Sequence, residues 1–553
     1  FKQKTAYEML RSLVGSEMCI RDRLQAARFD EEMPRILAYW KRRLDQGMRL
    51  EVPDPAVNHF YLANLWHNVI TTDRDPETGL YNQGVGTVRY AVFANETVMI
   101  ARSMDMRGEH VEAERFIEPM IRYQGHEALT GRFSTREDAF HSAGEYTHGE
   151  YAMNHGFVLW GIADHYLMTR DEAYLRRTAP ALVRGCDFLI RERASTMGPP
   201  NEPRRPEHGL APACSLEDVI EFQYWLATNA YFHLGMKRAA QALAAIGHPE
   251  APRLTAEAEA YRRDVEIATR EAATRAAAVR LRDGLFVPYV PSRVHHWRHL
   301  TEGWIREALY PALHLATAEV VAPDDPLITW MLDELEDNIY FSWQSGYNIE
   351  DYERTWFERG GVTLQPCLVD SPTIYMAREE IPAALRAFWN TYALSIFPDV
   401  QCFAEWARRQ GDPGGPLYKT SDESRFVMWL RELLICEEGD TLWLGRATPG
   451  EWLQDGKVIR VERAVTKFGP MDLTLRSRVD SGWITATVRP PDRNPPARVR
   501  LRLRHPHGYR PARVFVDGVQ LPAERICGQD IDLTPAIRGQ GRALEVRAAY
   551  DPR

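Results

Sequence analysis

The chain has 553 residues, 44% of them hydrophobic and 26% charged, and a formal net charge of −9. That length exceeds one ordinary core, so two domains are expected, and the acidic balance speaks against nucleic acid or an anionic membrane as the main partner. No apolar run reaches the roughly 18–20 residues that span a bilayer.

The aromatic content leans to the polar side, with 15 Trp and 23 Tyr against 20 Phe. Trp and Tyr join a flat apolar face to a polar edge, which suits sugar rings, although large cores use them too. The seven cysteines are scattered with no CxxC pair, so neither a zinc framework nor a disulfide scaffold is indicated. A reducing cytoplasm fits, and so does an outside compartment, since a chain of this size folds on its core alone.

Residues 1–24 are set apart as a non-native leader. KTAYEMLRSLVGSEMCIRDR (4–23) resembles translated adapter read-through, with a short helix carrying Leu10, Leu13 and Val14 as the alternative, and a preceding segment is then missing. From Phe29 to Cys436 the pattern is helical. Asp54-Pro55 opens a helix near Val57–Thr72. Segments apolar on most faces then recur at Arg89–Met106, Glu150–Met168, Glu217–Leu234, Thr301–Thr317, Ser371–Arg378 and Glu423–Cys436. Between them lie amphipathic ones: Glu109–Gln124, Asp171–Arg193, Pro249–Arg280, Pro326–Ile339 and Ile381–Phe397. Asp171 and Asp325-Pro326 read as helix starts and Gly108, Gly125 and Gly235 as stops, while Pro119 and Pro180 should kink or split their helices.

Six pairs of one amphipathic and one buried helix predict a mainly α fold, an (α/α)6 toroid or six-hairpin barrel over residues 25–436; an irregular all-α domain or an α-solenoid is the alternative. After Cys436 short runs alternate at period two, as in DLTLRSRV, WITATVRPP and ARVRLRLRH, with FVDG (515–518) as a hairpin turn. They predict a small C-terminal antiparallel β-sandwich domain over residues 437–553.

In such a ring the long connections gather at one end, where function is usually placed. They hold Asn95-Glu96, then Glu145, His148 and His155, then Glu217 and Asp218, then Trp304, then Tyr347 and Trp356, and last Glu405 and Trp406. Acids interleaved with Trp and Tyr suit a neutral hydroxylated substrate: rings stack on aromatics, and acids hold hydroxyls or act in catalysis. Asn95, Glu96, Glu145, His148, His155, Trp304, Tyr347, Trp356 and Trp406 are the candidate substrate contacts.

The helical part resembles the (α/α)6 glycoside hydrolases of the glucoamylase and alpha-L-rhamnosidase-like type. SLEDV resembles that family's Trp-Glu-Glu element, with Leu216 where the family has Trp, and FAEW resembles the site of its catalytic base. The resemblance implies an inverting glycosidase with a general acid at Glu217 and a general base at Glu405. Asp218 falls where the family has a sugar-binding acid, and the acid role stays open between Glu217 and Asp218. Inversion asks for one protonated and one ionised carboxyl about 6.5–9.5 Å apart. A polysaccharide lyase on the same fold and an inert glycan-binding protein are the rival readings.

Each residue also has a plainer reading. Glu217 and Asp218 suit the first turn of any helix, Glu405 could pair with Arg408 or Arg409, and Asn95-Glu96 could be an internal polar pair. His141, His148 and His155 recur every seven residues, but glycines at 144, 149 and 156 break the helix that would align them, so no metal is expected. No GxSxG, P-loop or dinucleotide fingerprint stands in a fitting context. No cofactor is therefore expected, and a carbohydrate is the expected partner.

Overall fold

The computed structural model describes residues 27–87, 90–199, 201–217, 219–295, 310–340, 361–363, 365, 367–406, 414–537 and 541–550, with backbone only at 219 and 220. The leader expected at residues 1–24 lies outside them. The chain divides into two compact units, Phe1–Gly47 and Met48–Arg553. In the first, Phe29–Gln46 forms one amphipathic helix.

In the second unit the helices follow the expected punctuation. Asp54 accepts hydrogen bonds from the amides of Ala56 and Val57 at 3.1 and 3.3 Å, with Pro55 opening the Pro55–Ile70 helix. Asp171 caps Glu172–Ala194 through Ala173 and Tyr174, and Asp325 caps Pro326–Glu334 through Leu327. These side chains satisfy amides that the first helical turn leaves without intrahelical partners. Gly108 and Gly125 take the left-handed φ of +81° and +79° that ends a helix.

Of the kink or split expected at Pro119 and Pro180, a split does not occur: His110–Arg122 and Glu172–Ala194 run through them. One expectation is corrected. Gly235 does not end a helix but lies inside Leu226–Ala245. A Cβ at Gly235 would stand 2.4 Å from the Gly156 carbonyl oxygen, and one at Gly156 2.4 Å from that of Tyr231. The two glycines let the helices meet backbone to backbone.

The buried helices pack in closed succession. Ala94–Met106 lies against Asn154–Thr169, which lies against Leu226–Ala245; His314–Thr317, Ser371–Ala377 and Thr420–Leu434 follow, and the last returns to Ala94–Met106. Asn154–Thr169 and Leu226–Ala245 are buried on nearly every side over their first halves, as an apolar circumference requires. The helices Pro55–Ile70, His110–Arg122, Glu172–Ala194, Ala251–Arg275, Pro326–Glu334 and Ile381–Ser395 alternate with them in sequence.

From Ile435 strands are the main regular element. Met471–Arg478 buries every second residue, and its neighbour Trp483–Arg489 buries Ile484, Ala486 and Val488. The seven-stranded sheet that contains them takes its edge strand, Arg49–Glu51, from the far side of the helices, paired antiparallel to Val458–Ala464. A second sheet of five strands includes one parallel pair, Thr441–Leu444 with Arg498–Arg502, where only antiparallel pairs are expected from sequence. Asp517 and Gly518, with φ of +49° and +81°, turn the FVDG hairpin. Among the described residues no helix is long and apolar enough to cross a membrane.

Candidate active site

The N-terminus of the Ala94–Met106 helix carries two buried polar residues, Asn95 and Glu96, side by side. Each leads to a candidate catalytic acid, Glu96 to Glu405 and Asn95 to Glu217.

On the Glu96 side stands Lys419, the residue before the Thr420–Leu434 helix. Its ammonium donates to Glu96 Oε2 at 2.6 Å and lies 3.6 Å from Glu405 Oε1. Ser421 Oγ also donates to Glu96 Oε2. The Tyr90 hydroxyl donates to Glu405 Oε2 at 2.8 Å, and the ammonium lies 4.8 Å from the centre of the Tyr90 ring and 5.7 Å from that of Phe93. Asp422 completes the cluster, accepting from Gln365 Nε2 at 3.2 Å.

Glu405 is placed by a strand rather than by the loop expected. Cys402–Trp406 is the centre of a three-stranded sheet between Ile396–Phe397 and Gly414–Leu417. Phe403 anchors it, its ring 4.5 Å from that of Phe60 and 5.4 Å from that of Phe426. The Phe403 amide donates to Glu423 Oε1 at 3.0 Å, and Glu423 Oε2 pairs with His67 Nδ1 at 2.8 Å. Gly415, at φ +84°, passes so close that a Cβ there would be 3.2 Å from Glu405 and Trp406 atoms. Trp406 follows at the strand end and is 44% exposed, against 9% for Glu405, so its ring is open to a ligand.

Charge in this cluster is set by burial and by Lys419. Burial raises the Glu405 carboxyl above the usual carboxylate range; Lys419 pulls it down, Glu96 pushes it up and the Tyr90 hydrogen bond lowers it. Burial raises Asp422 well above the usual carboxylate range. Burial alone would lower Lys419, but Glu96, then Glu405 and Asp422, raise it above an ordinary lysine. Burial, then Glu405, raises Tyr90, which stays a donor.

On the Asn95 side, Asn95 Nδ2 donates to the Tyr310 hydroxyl at 3.4 Å, and that hydroxyl is hydrogen-bonded to Glu217. Burial, then Glu217, holds Tyr310 well above an ordinary tyrosine. Sequence periodicity predicts a helix from Glu217; instead Glu217 stands at the turn of a hairpin, Cys214–Leu216 with Val219–Gln223, and the helix begins at Leu226. The reason is local. Val219, Ile220 and Phe222 favour a strand, and the Ser215 amide donates to the Thr130 carbonyl and Trp225 Nε1 to the Cys214 carbonyl, which fixes both ends of the hairpin. Glu217 adopts φ +47°, a left-handed conformation that costs a non-glycine residue on the order of 1 kcal/mol.

The remaining candidates divide. His148 is exposed, its ring 4.7 Å from that of Phe93, and Glu145 is exposed on the same loop. His155 is corrected: it is fully buried, Nδ1 accepts from the Phe140 amide at 2.9 Å, and Nε2 faces the Gly185 carbonyl at 3.0 Å. Burial lowers its pKa to about 3. Both nitrogens serve the core, and none is left for a ligand. Asp218, Trp304, Tyr347 and Trp356 lie outside the described residues.

Lys419, Tyr90, Tyr310 and Asp422 are missed by sequence reasoning. A lysine in a turn and two tyrosines among 23 carry no local signal; only the fold brings them to the acids. Among the described residues no group of three or more His, Cys, Asp or Glu is arranged to hold a metal ion. A cavity of about 880 Å³ lies among the buried helices, lined by Met106, Trp160, Arg238, Thr317 and Arg425; none of Glu96, Glu217 and Glu405 lines it.

No protein-family model matches the chain, nor does any curated protein. Solved structures do, and they define a six-hairpin glycosidase-like fold. The alpha-L-rhamnosidase of Streptomyces avermitilis, solved with L-rhamnose, matches with a TM-score of 0.50 at 14% identity over 91% of this chain. The chain spans only 42% of that enzyme's length. The alpha-L-rhamnosidase of Dictyoglumus thermophilum is also similar, with a TM-score of 0.48, 9% identity, and coverage of 91% of this chain and 50% of that one. So is a bacterial glucoamylase solved with acarbose, with a TM-score of 0.45, 12% identity, and coverage of 74% and 59%. At such identities the likeness is one of fold.

Proposed function

We propose that the chain is an inverting glycoside hydrolase that cleaves an oligosaccharide or the terminal sugar of a glycan. Glu217 or Asp218 is the general acid and Glu405 the general base. The observation that carries this reading is the pair of connections from one helix start: Asn95 through Tyr310 to Glu217, and Glu96 through Lys419 to Glu405. Two carboxyl groups thereby flank a single dipeptide. The closed succession of buried helices supports an (α/α)6 toroid over residues 25–436, with 437–553 as a C-terminal β-sandwich domain.

In this mechanism the acid gives its proton to the glycosidic oxygen as the bond to the anomeric carbon breaks. Glu405 takes a proton from a water that attacks the opposite face, and the anomeric configuration inverts. Ionised Glu405 is required, and Lys419 and the Tyr90 hydroxyl favour that form. Trp406 offers a ring face for stacking, and Asn95, Glu96, Glu145 and His148 are the hydroxyl contacts. The L-rhamnose and acarbose held by the structural neighbours support a carbohydrate as substrate.

The test is turnover of p-nitrophenyl α-L-rhamnoside and α-D-glucoside, and release of reducing sugar from oligosaccharides. Glu405→Gln and at least one of Glu217→Gln and Asp218→Asn are expected to abolish activity in folded protein. An unsaturated product absorbing in the ultraviolet would mark a lyase instead, and full activity in Glu405→Gln would remove the base assignment.

A further inference from the structure

Lys419 is a fully enclosed cation whose role no motif announces. Its side chain is 1% exposed, and it stands between two carboxylates that come from different elements, Glu96 on a helix start and Glu405 on a strand. An unpaired buried ammonium is costly, so its partners fix where it can sit. Glu96 holds it at 2.6 Å, with Ser421 bonded to the same Glu96 oxygen; Glu405 lies further out, at 3.6 Å. The arrangement is asymmetric. Glu96 is the anchor of the lysine, and the lysine in turn faces Glu405.

We propose that Lys419 is a positioning residue of the site: anchored on Glu96, its ammonium fixes the Glu405 carboxylate and keeps it charged to accept the proton of the attacking water. This inference rests on the assignment of Glu405 as base. Lys419 itself neither gives nor takes a proton. Among the described residues the titratable and charged groups that face Glu405 are Lys419, Glu96, Tyr90 and Asp422. Burial raises Asp422 well above the usual carboxylate range, and Glu96 opposes ionisation of Glu405. Tyr90 contributes a neutral hydroxyl. Lys419 is therefore the one full positive charge among these four, and its loss leaves burial and Glu96 opposing the ionisation of Glu405 while the Tyr90 hydrogen bond favours it.

The experiment follows the Glu405 carboxyl by carbon-13 NMR during a pH titration of the full chain labelled at glutamate Cδ, with the resonance identified by its loss in Glu405→Gln. In Lys419→Gln, which keeps a donor toward Glu96, the midpoint is expected to rise by about 1–3 pH units, the usual effect of losing a close opposite charge. Lys419→Arg keeps the charge and is expected to keep the midpoint near that of the unaltered protein. With a p-nitrophenyl glycoside, the acidic limb of kcat/KM is expected to rise with the midpoint in Lys419→Gln, and activity to recover above it. An unmoved midpoint in Lys419→Gln, an equal rise in Lys419→Arg, or a loss of activity uniform across pH would overturn the role. The two readings fail separately. Full turnover by Glu405→Gln sinks the base assignment and the role with it, whereas dead Glu405→Gln with an unmoved midpoint sinks the role of Lys419 alone. Lys419→Gln that does not fold leaves Lys419→Arg to decide, since a raised midpoint there contradicts the role.

Discussion

The Tyr90 hydroxyl donates a hydrogen bond to Glu405 at 2.8 Å, although 315 residues separate them in sequence. Tyr90 keeps its proton because burial, then the Glu405 charge, opposes its ionisation. The bond favours the charged carboxylate. Tyr90→Phe preserves the ring and removes only that donor, so kcat is expected to fall about tenfold, the equivalent of about 1.4 kcal/mol. Because the hydrogen bond lowers the Glu405 pKa, its loss also moves the acidic limb upward. A pH–rate profile of the variant beside the unaltered protein measures both.

Tyr310 plays the matching part toward Glu217. Its hydroxyl accepts from Asn95 and is hydrogen-bonded to Glu217, whose charge opposes ionisation of the tyrosine. With Glu217 as proton donor, Tyr310→Phe removes a partner of the acid and is expected to lower kcat about tenfold; unchanged turnover points to Asp218 instead.

The close approach of Gly156 and Gly235 has a steric test. A Cβ at 235 would stand 2.4 Å from the Gly156 carbonyl oxygen and 2.9 Å from Leu159 Cβ, with backbone on one side. Gly235→Ala is expected to destabilise the protein by about 1–3 kcal/mol, read as a lower midpoint in urea unfolding. Gly541→Ala, where a Cβ meets nothing within 4 Å, is the control and should leave the midpoint unchanged.

His155 makes stability depend on acid. Its folded pKa is lowered to about 3 by burial, against 6.5 in the unfolded chain. The unfolded state therefore binds a proton that the folded state refuses. Its contribution to stability is present above pH 6.5 and is lost as pH falls toward 3, at about 1.4 kcal/mol per pH unit. His155→Gln is expected to flatten that part of the decline while lowering stability at pH 7, because the Phe140 amide and Gly185 carbonyl lose well-placed partners. Urea unfolding at several pH values reads the slope.

Much of the helical layout was legible because it rests on local rules. Asp54, Asp171 and Asp325 announce helix starts by their own capping bonds, and the apolar circumference of Asn154–Thr169 is visible in its residues. Where local rules compete, sequence reading fails. The residues after Glu217 carry helical spacing of apolar groups, yet β-branched Val219 and Ile220, the bond of Trp225 to the Cys214 carbonyl and that of Ser215 to the Thr130 carbonyl make a hairpin. Gly235 looks like a helix stop because the backbone of Gly156 that requires it is 79 positions away, as 235 minus 156 gives. At the site, Asn95, Glu96, Glu217 and Glu405 were visible as acids and amides on the long connections into apolar segments. Lys419 and Tyr90 were not, since only the return of the last buried helix to the first brings them beside Glu96 and Glu405.

The most direct measurement is the configuration of the first sugar released. Proton NMR of the anomeric region, recorded while a p-nitrophenyl glycoside is being cleaved and before mutarotation, distinguishes the two outcomes. Release of the sugar with inverted configuration, abolished in Glu405→Gln, is the result expected of an acid and a base acting across one water. Release with retained configuration, or unchanged release by Glu405→Gln, would contradict it.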